Sequence, residues 1–266
     1  FKSKATLASR AQSRVKMLNK EVVLQKLTDD ENLNFNFNYT PYKSKKPLIE
    51  AEDIKFGYNT KNIIIKNLSF KVNRGDKVCI IGKNGKGKST LLNLLNDERK
   101  INSGSIIKNV SEVGYFGQMN IDRLDSNLSI YEELFKIANN KNETEIRKVC
   151  AQVMFKGSSV NKKIGILSGG EKSRVMLGKI LLKNVNLLIL DEPTNHLDMY
   201  SAESLMKAVN KFEGAVLMVT HDENFIKQIA NKLIIFDEKK VFVFNGNYED
   251  FKMKIGWKEI EPEQIY

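Results

Sequence analysis

Apolar residues change their spacing several times along this chain, and each change marks a different kind of element. In residues 1–27, Phe1, Ala5, Ala8, Val15, Leu18 and Val22 recur at steps of three, four or seven, which predicts one face of a helix. No Gly or Pro interrupts that stretch. Residues 28–47 read otherwise: Asp29-Asp30-Glu31 is followed by asparagines alternating with Leu33, Phe35, Phe37 and Tyr39, then by Pro41 and Pro47. That pattern predicts an extended linker strand lying on a domain. From Leu48 the chain becomes strand-rich and then mixed. Strands are expected at 48–56 and 63–72, around a turn at Gly57-Tyr58-Asn59. Residues 77–81 form a nearly continuous apolar run, as a central strand buried on both faces requires. A glycine-rich loop and a helix at 88–96 follow, then short strands at 106–107 and 113–116. Helices around 130–138, 144–155 and 171–183 form a helical region spanning 119–182. Strand and helix then alternate: 187–190, 200–212, 215–219, 223–231, 233–236 and 241–244. Alternation of this kind predicts an α/β domain over 48–255 with a parallel central sheet, and a tail at 256–266.

Composition narrows the class. At 266 residues and 41% hydrophobic, the chain can bury a core, so neither a disordered tail nor a disulfide-stapled miniprotein fits. No segment approaches the roughly 20 apolar residues of a membrane span, and the mean hydropathy is -0.36. Phe1-Lys2-Ser3-Lys4 opens no apolar stretch of the signal-peptide kind, and the missing initiator Met is expected of a piece of a longer chain. Cys79 lies in an apolar run and reads as a core filler, and Cys150 stands far from it in an unlike context. Nothing in their spacing suggests a disulfide or a metal cluster, so a reducing cytoplasm is expected. The net charge is +11, and six of those charges fall in residues 1–20 with no acid among them. Arg10, Arg14 and Lys16 therefore lie on a basic helix. Two readings stay open for it: a solvated face, or a contact with nucleic acid or another anionic surface.

The chemistry begins at Gly82-Lys83-Asn84-Gly85-Lys86-Gly87-Lys88-Ser89, which satisfies G-x-x-x-x-G-K-[ST] between an apolar strand and a helix. Phosphates need several backbone N–H donors converging on them, and side chains would obstruct the approach. Glycines at 82, 85 and 87 permit the turn, and the helix N-terminus adds partial positive charge. Lys88 is placed to reach the β- and γ-phosphates, and Ser89 to offer its hydroxyl to Mg2+. Asn84 and Thr90 flank these groups. A second motif, Leu187-Leu188-Ile189-Leu190-Asp191-Glu192, ends an apolar strand in two carboxylates. Asp191 suits Mg2+, and Glu192 suits an attacking water. Together the two motifs indicate nucleoside triphosphate hydrolysis without specifying its kind.

The third motif specifies it. Leu167-Ser168-Gly169-Gly170-Glu171 opens a helix shortly before the second motif. Taken alone, Ser168 is an ordinary N-cap. In this order the set resembles the ATP-binding cassette (ABC) ATPases and their signature sequence. That resemblance implies an ABC-type P-loop fold with a RecA-like parallel core, an antiparallel β subdomain and a helical signature subdomain. It further implies that Gln118 is the glutamine sensing Mg2+ and water, and that His221 contacts the γ-phosphate. Tyr58 would stack on adenine, Asp198 would lie in the D-loop, and the cofactors would be ATP and Mg2+.

Three details resemble the ABC-F group within that family. Asn195-His196 stands where transporters usually carry Ser-Ala, residues 1–26 resemble the second arm of the interdomain linker, and Gly246-Asn247-Tyr248 resembles a closing motif. The resemblance implies a second cassette whose first is missing from this chain. ATP would be sandwiched between Lys88 and its neighbours on one cassette and a Ser-Gly-Gly on the other, with Ser168, Gly169 and Gly170 serving the partner's nucleotide. The ribosome and tRNA are the implied partners, and Arg10, Arg14 and Lys16 the candidate RNA contacts. A homodimer of this segment, an ABC transporter subunit and a DNA-linked ABC ATPase remain alternatives, with membrane or DNA partners less favoured. His221-Asp222-Glu223 departs from the family's frequent His-Asp-Arg, which leaves a helix-start contact open. Lys86 is expected to add positive potential near the phosphates.

Overall fold

The structure, a computed structural model, describes residues 35–59, 62–110, 112–138, 141–195, 197–237 and 240–256, without the side chains of Gln118 and Met119. The predicted helix at 1–27, with Arg10, Arg14 and Lys16, lies outside the described residues, as does the tail from 257.

The strands are β1 (Asn38–Tyr39), β2 (Ile49–Asn59), β3 (Asn62–Val72), β4 (Lys77–Gly82), β5 (Ser103–Lys108), β6 (Val113–Phe116), β7 (Asn184–Val185), β8 (Leu187–Asp191), β9 (Ala215–Val219), β10 (Lys232–Phe236) and β11 (Val241–Asn245). The helices are α1 (Lys88–Leu95), α2 (Gln118–Ile121), α3 (Ile130–Phe135), α4 (Glu143–Gln152), α5 (Gly169–Leu182), α6 (Met199–Lys211), α7 (Glu223–Ile229) and α8 (Tyr248–Lys254). Six strands form the central sheet in the order β11-β10-β4-β9-β8-β6. All its pairings are parallel except β10 with β11. A separate antiparallel sheet has the order β3-β2-β5.

The two-residue period of the central strands divides their side chains between two cores. Val78 and Ile80 of β4, Ile189 of β8, Leu217 of β9 and Ile234 of β10 face α1 and the antiparallel sheet, packing with Leu91, Leu94, Ile54 and Leu68. Cys79, Leu188, Leu190, Met218 and Ile235 face the other way, toward Ile130, Leu134, Val175 and Leu181 of the helical region. Both faces of the sheet are therefore covered, which is why these strands read as apolar runs rather than as alternation. Truncating a residue such as Leu188, which is fully buried, to Ala costs about 2–5 kcal/mol.

Phe35 and Phe37 are buried, and β1 pairs in parallel with β7. Phe37 and Tyr39 meet the Phe212 ring edge-on at centroid distances of 6.1 and 5.8 Å. Phe35 and Phe37 thus join the core beside Phe212, with Tyr39 packed against it.

Three local features differ from the sequence expectations. Gly57-Tyr58-Asn59 belongs to β2 and is no turn; the strand continues through bulges, which hydrophobic periodicity does not register. A Cβ at Gly57 would lie 2.5 Å from the Asn62 carbonyl oxygen, so the close pairing with β3 calls for glycine there. β5 is longer than the apolar pair Ile106-Ile107, because its partner is β2 rather than the core. Helix α8 was not expected, although Asn247 caps it by accepting the Asp250 N–H at 2.8 Å. It bears on the Glu223 departure: Lys252 of α8 lies 3.5 Å from Glu223, and Lys227 of α7 lies 3.3 Å from Glu249.

Candidate active site

In a parallel sheet, ligands gather beyond the carboxyl ends of the strands, where the order reverses. Here β4 has β9 on one side and β10 on the other, so its carboxyl end is such a point. The loop from Gly82 to Gly87 leaves β4 there and enters α1. Its glycines are needed for separate reasons. All three have positive φ: 142° at Gly82, 75° at Gly85 and 104° at Gly87. A Cβ on Gly82 would stand 2.3 Å from the Phe236 carbonyl oxygen, and one on Gly87 would stand 2.2 Å from Cγ2 of Ile64. Gly85 has open space, so only its backbone conformation restricts it.

Lys88 opens α1 but turns back over the loop. Its Nζ donates to the carbonyls of Gly82 at 2.8 Å and Lys83 at 3.1 Å, and reaches Asn84 Oδ1 at 3.3 Å. Burial lowers its pKa, while Glu192 and Asp191 favour the ammonium. Beside it, the Ser89 hydroxyl donates to Asp191 Oδ1 at 3.2 Å, joining two motifs that stand 102 residues apart. Burial raises the Asp191 pKa, against the Ser89 bond and the Lys88 charge.

Glu192 has φ 47°, a conformation that L residues rarely hold. Its N–H donates to the Val219 carbonyl at 2.9 Å, which ties the turn after β8 to the end of β9. Its carboxyl is pushed up chiefly by burial, opposed by the His221 charge and helped by repulsion from Asp191. His221 Nε2 lies 3.4 Å from Glu192 Oε1. Asp222 accepts from the N–H groups of Asn224 and Phe225, capping α7 just past the histidine.

These groups surround a cavity of 370 Å³ lined by Asn84, Gly85, Gly87, Lys88, Ser89, Thr90 and Glu192, with Tyr58, Ile64 and Val219 completing the wall. Tyr58 is half exposed, and its hydroxyl lies 3.1 Å from Thr90 Oγ1. The Arg99 guanidinium sits 5.2 Å from the Tyr58 ring centre, and Phe56 meets the ring edge-on. A second cavity of 340 Å³ adjoins, with Ser89, Asp191 and Glu192 on its wall together with Gly169, Lys172 and Asn195. Gln118 opens α2, immediately after β6.

The other expected residues stand elsewhere. Ser168, Gly170 and Asp198 do not line the first cavity. Ser168 caps α5 in a reciprocal pair: its Oγ accepts the Glu171 N–H, and Glu171 Oε2 accepts the Ser168 N–H at 2.9 Å. That bond is the main cause of Glu171's lowered pKa. Gly169 and Ser168 remain exposed. Asp198 caps α6; burial would raise its carboxyl, but bonds from the Ser201 N–H and hydroxyl hold it low. Lys86 lies on the outer side of the loop, away from the first cavity's lining. Sequence reasoning missed Ile64, Val219 and Arg99. Each arrives from a distant stretch, and no local motif marks any of them.

A nucleotide-sized cavity between a glycine-rich loop and paired carboxylates, on a parallel sheet with an antiparallel sheet and a helical region beside it, defines an ABC-type ATP-binding cassette. The "ABC transporter" family model matches residues 65–195. The "Probable ATP-binding protein YheS" of Escherichia coli (strain K12) is 34% identical over 253 residues, covering 95% of this chain and 39% of that protein. "ATP-binding cassette sub-family F member 3" of Rattus norvegicus is 33% identical over 253 residues, covering 95% and 36%. An Atm1-family ABC exporter with ATP bound superimposes with a TM-score of 0.67 at 20% identity, over 89% of this chain and 45% of that one, and shares the fold. The chain belongs to the ABC ATP-binding cassettes and, with these relatives, to the ABC-F family. It spans 34–40% of the length of the curated relatives it matches.

Proposed function

We propose that this chain is one half of an ATP-driven clamp: the second cassette of an ABC-F protein, acting on the ribosome during translation in the cytoplasm. The observation that carries the catalytic part is the meeting of Lys88, Ser89 and Glu192 around one cavity, with Asp191 bonded to Ser89 at its edge and His221 in reach of Glu192.

In this reading Gly85, Gly87 and the α1 N-terminus bind the triphosphate through backbone N–H groups. Lys88 exchanges its loop carbonyls for phosphate oxygens. Tyr58 stacks on adenine by its face, with its hydroxyl steadied by Thr90 and one side met by Arg99. Ser89 and Asp191 present a hydroxyl and a carboxylate, the hard oxygen donors that suit Mg2+, and a bound Mg2+ would offset charge on the phosphate oxygens. Gln118 is assigned to the same ion and to the water by resemblance. Water attacks the γ-phosphorus, the bond to the ADP oxygen breaks, and Glu192 takes the proton from the water. A raised pKa makes Glu192 a better proton acceptor than an ordinary surface carboxylate. His221 orients that carboxylate and faces the γ-phosphate.

Ser168, Gly169, Gly170 and Asp198 then serve a nucleotide on another cassette. Beside them Ile166 and Met199 are 76% and 75% exposed, and Tyr200 is also exposed, an apolar margin suited to being covered. The first cassette of the same parent protein is the proposed mate, with a homodimer as the substitute in isolation. Arg10, Arg14 and Lys16 are proposed to meet RNA. Among the described residues no helix is long and apolar enough to cross a membrane. Fractionation of the full-length protein in the ATP-trapped Glu192→Gln form tests the ribosome assignment. Co-sedimentation with ribosomes is expected, and recovery with membranes would favour a transporter subunit.

A further inference from the structure

The outer side of the phosphate loop holds a cavity that the nucleotide reading does not use. It has a volume of 400 Å³ and is lined by Lys66 of β3, Lys86 of the loop, Asp237 and Lys240 at the β10–β11 connection, and Asn62. Ile63, Ile64, Phe236 and Val241 supply an apolar floor. Among the described residues, three lysines from three separate parts of the chain line this cavity with one carboxylate, the Lys240 ammonium resting 5.5 Å from the Phe242 ring centre. Lys86, expected from the sequence to add positive potential near the phosphates, lines this second space instead of the nucleotide cavity.

We infer that this cavity is a binding site for a single-stranded RNA backbone. The charge is complementary to phosphodiesters, and the volume is several times that of one phosphate group, so a run of linked phosphates suits it better than a free ion. Lysines bind phosphate as mobile point charges and tolerate any sequence. The apolar floor gives an unstacked base a surface to lie on. Asp237 and Asn62 distinguish RNA from DNA: a carboxylate accepts, and an amide accepts or donates, a hydrogen bond with a ribose 2′-hydroxyl. Among the described lining residues Asp237 is the one carboxylate; it opposes phosphate, and a hydroxyl partner accounts for it. Gly85 and Ile64 wall both this cavity and the nucleotide cavity. RNA seated here would lie against the same loop that holds the triphosphate.

The test is fluorescence anisotropy of a labelled single-stranded RNA dodecamer and its DNA counterpart, with the whole chain, across a salt series. Wild type should bind the RNA more tightly than the DNA. Lys66→Ala with Lys240→Ala should weaken RNA binding and lower the log–log salt slope by about 1.4, the loss of two phosphate contacts on a single strand. Asp237→Ala should narrow the preference for RNA over DNA. The basic residues near the N-terminus contribute equally to wild type and variants, so they cancel in these differences. Thermal melting verifies that each variant is folded without relying on the nucleotide reading. An unchanged slope in the double variant, or equal binding of RNA and DNA by wild type, overturns the inference.

Discussion

Nε2 of His221 stands 3.4 Å from Oε1 of Glu192, and the two side chains reach each other from the ends of neighbouring strands. The Glu192 N–H bond to Val219 fixes the separation of those ends. The proposed proton acceptor and the group proposed to orient it are thereby held by backbone rather than by flexible loops. Glu192→Gln keeps the shape and removes the proposed proton acceptor. Its expected effect is a loss of ATP turnover of at least about 100-fold with ATP affinity retained, read by phosphate release and by equilibrium binding. A parallel loss of affinity would place Glu192 in binding instead.

The raised pKa values of Asp191 and Glu192 have a consequence for stability. A buried carboxyl in the folded chain keeps its proton to higher pH than in the unfolded chain. Above the ordinary carboxylate range the folded state therefore binds more protons, and stability falls as pH rises through the raised folded values. Asp191→Asn and Glu192→Gln remove the buried charge, so both variants should melt higher than wild type at neutral pH. The advantage should shrink as pH falls into the carboxylate range. Melting curves at several pH values would show it, and a pH-independent difference would count against burial as the cause.

Glycines in the two motifs proposed to bind phosphate should respond oppositely to alanine. Gly82→Ala and Gly87→Ala meet both positive φ and contacts under 2.5 Å. Each should cost about 1–3 kcal/mol in denaturant unfolding, with nucleotide binding lost. Gly169→Ala meets nothing within 4 Å and sits in the first turn of α5. It should leave stability unchanged or raise it by up to about 1 kcal/mol. Destabilisation by Gly169→Ala would contradict the open surface at that helix start.

Both cysteines should be unreactive in the folded chain. Burial pushes the Cys79 thiol up to about 12 and that of Cys150 up to about 11, so little thiolate exists at pH 8. Iodoacetamide at that pH should label neither until denaturant is added, as mass spectrometry would register. Rapid native labelling of either would show that its side of the core opens readily.

Much of the candidate site was legible because its groups lie in contiguous runs: a loop of set spacing and a strand ending in two carboxylates. The strands beneath were legible because burial on both faces leaves apolar runs. What stayed hidden depends on approach between distant segments. The Arg99 contact on Tyr58, the Ile64 packing that excludes a side chain at Gly87, and the outward turn of Lys86 have no local signature. The strand reading of Gly57-Tyr58 was lost to bulges, which disturb the two-residue period. The φ of Glu192 likewise arises from its tie to β9. The Glu223 departure is met by Lys252 on α8, a helix the apolar pattern did not disclose.

Lys88 contributes charge-assisted bonds to the triphosphate in this scheme. Lys88→Ala should weaken ATP binding on the order of 10- to 100-fold, the equivalent of about 1.4–2.7 kcal/mol. Isothermal titration would measure it, and undiminished affinity would remove Lys88 from the site.

The dependence of hydrolysis on a second cassette is most directly measured by the steady-state ATPase rate per chain over a wide range of protein concentration, repeated with a separately supplied first cassette. The rate per chain should be low when dilute, rise with concentration, and rise further with the added cassette. A vigorous rate that stays constant down to the lowest concentration, and ignores the added cassette, would show that one chain completes the reaction alone.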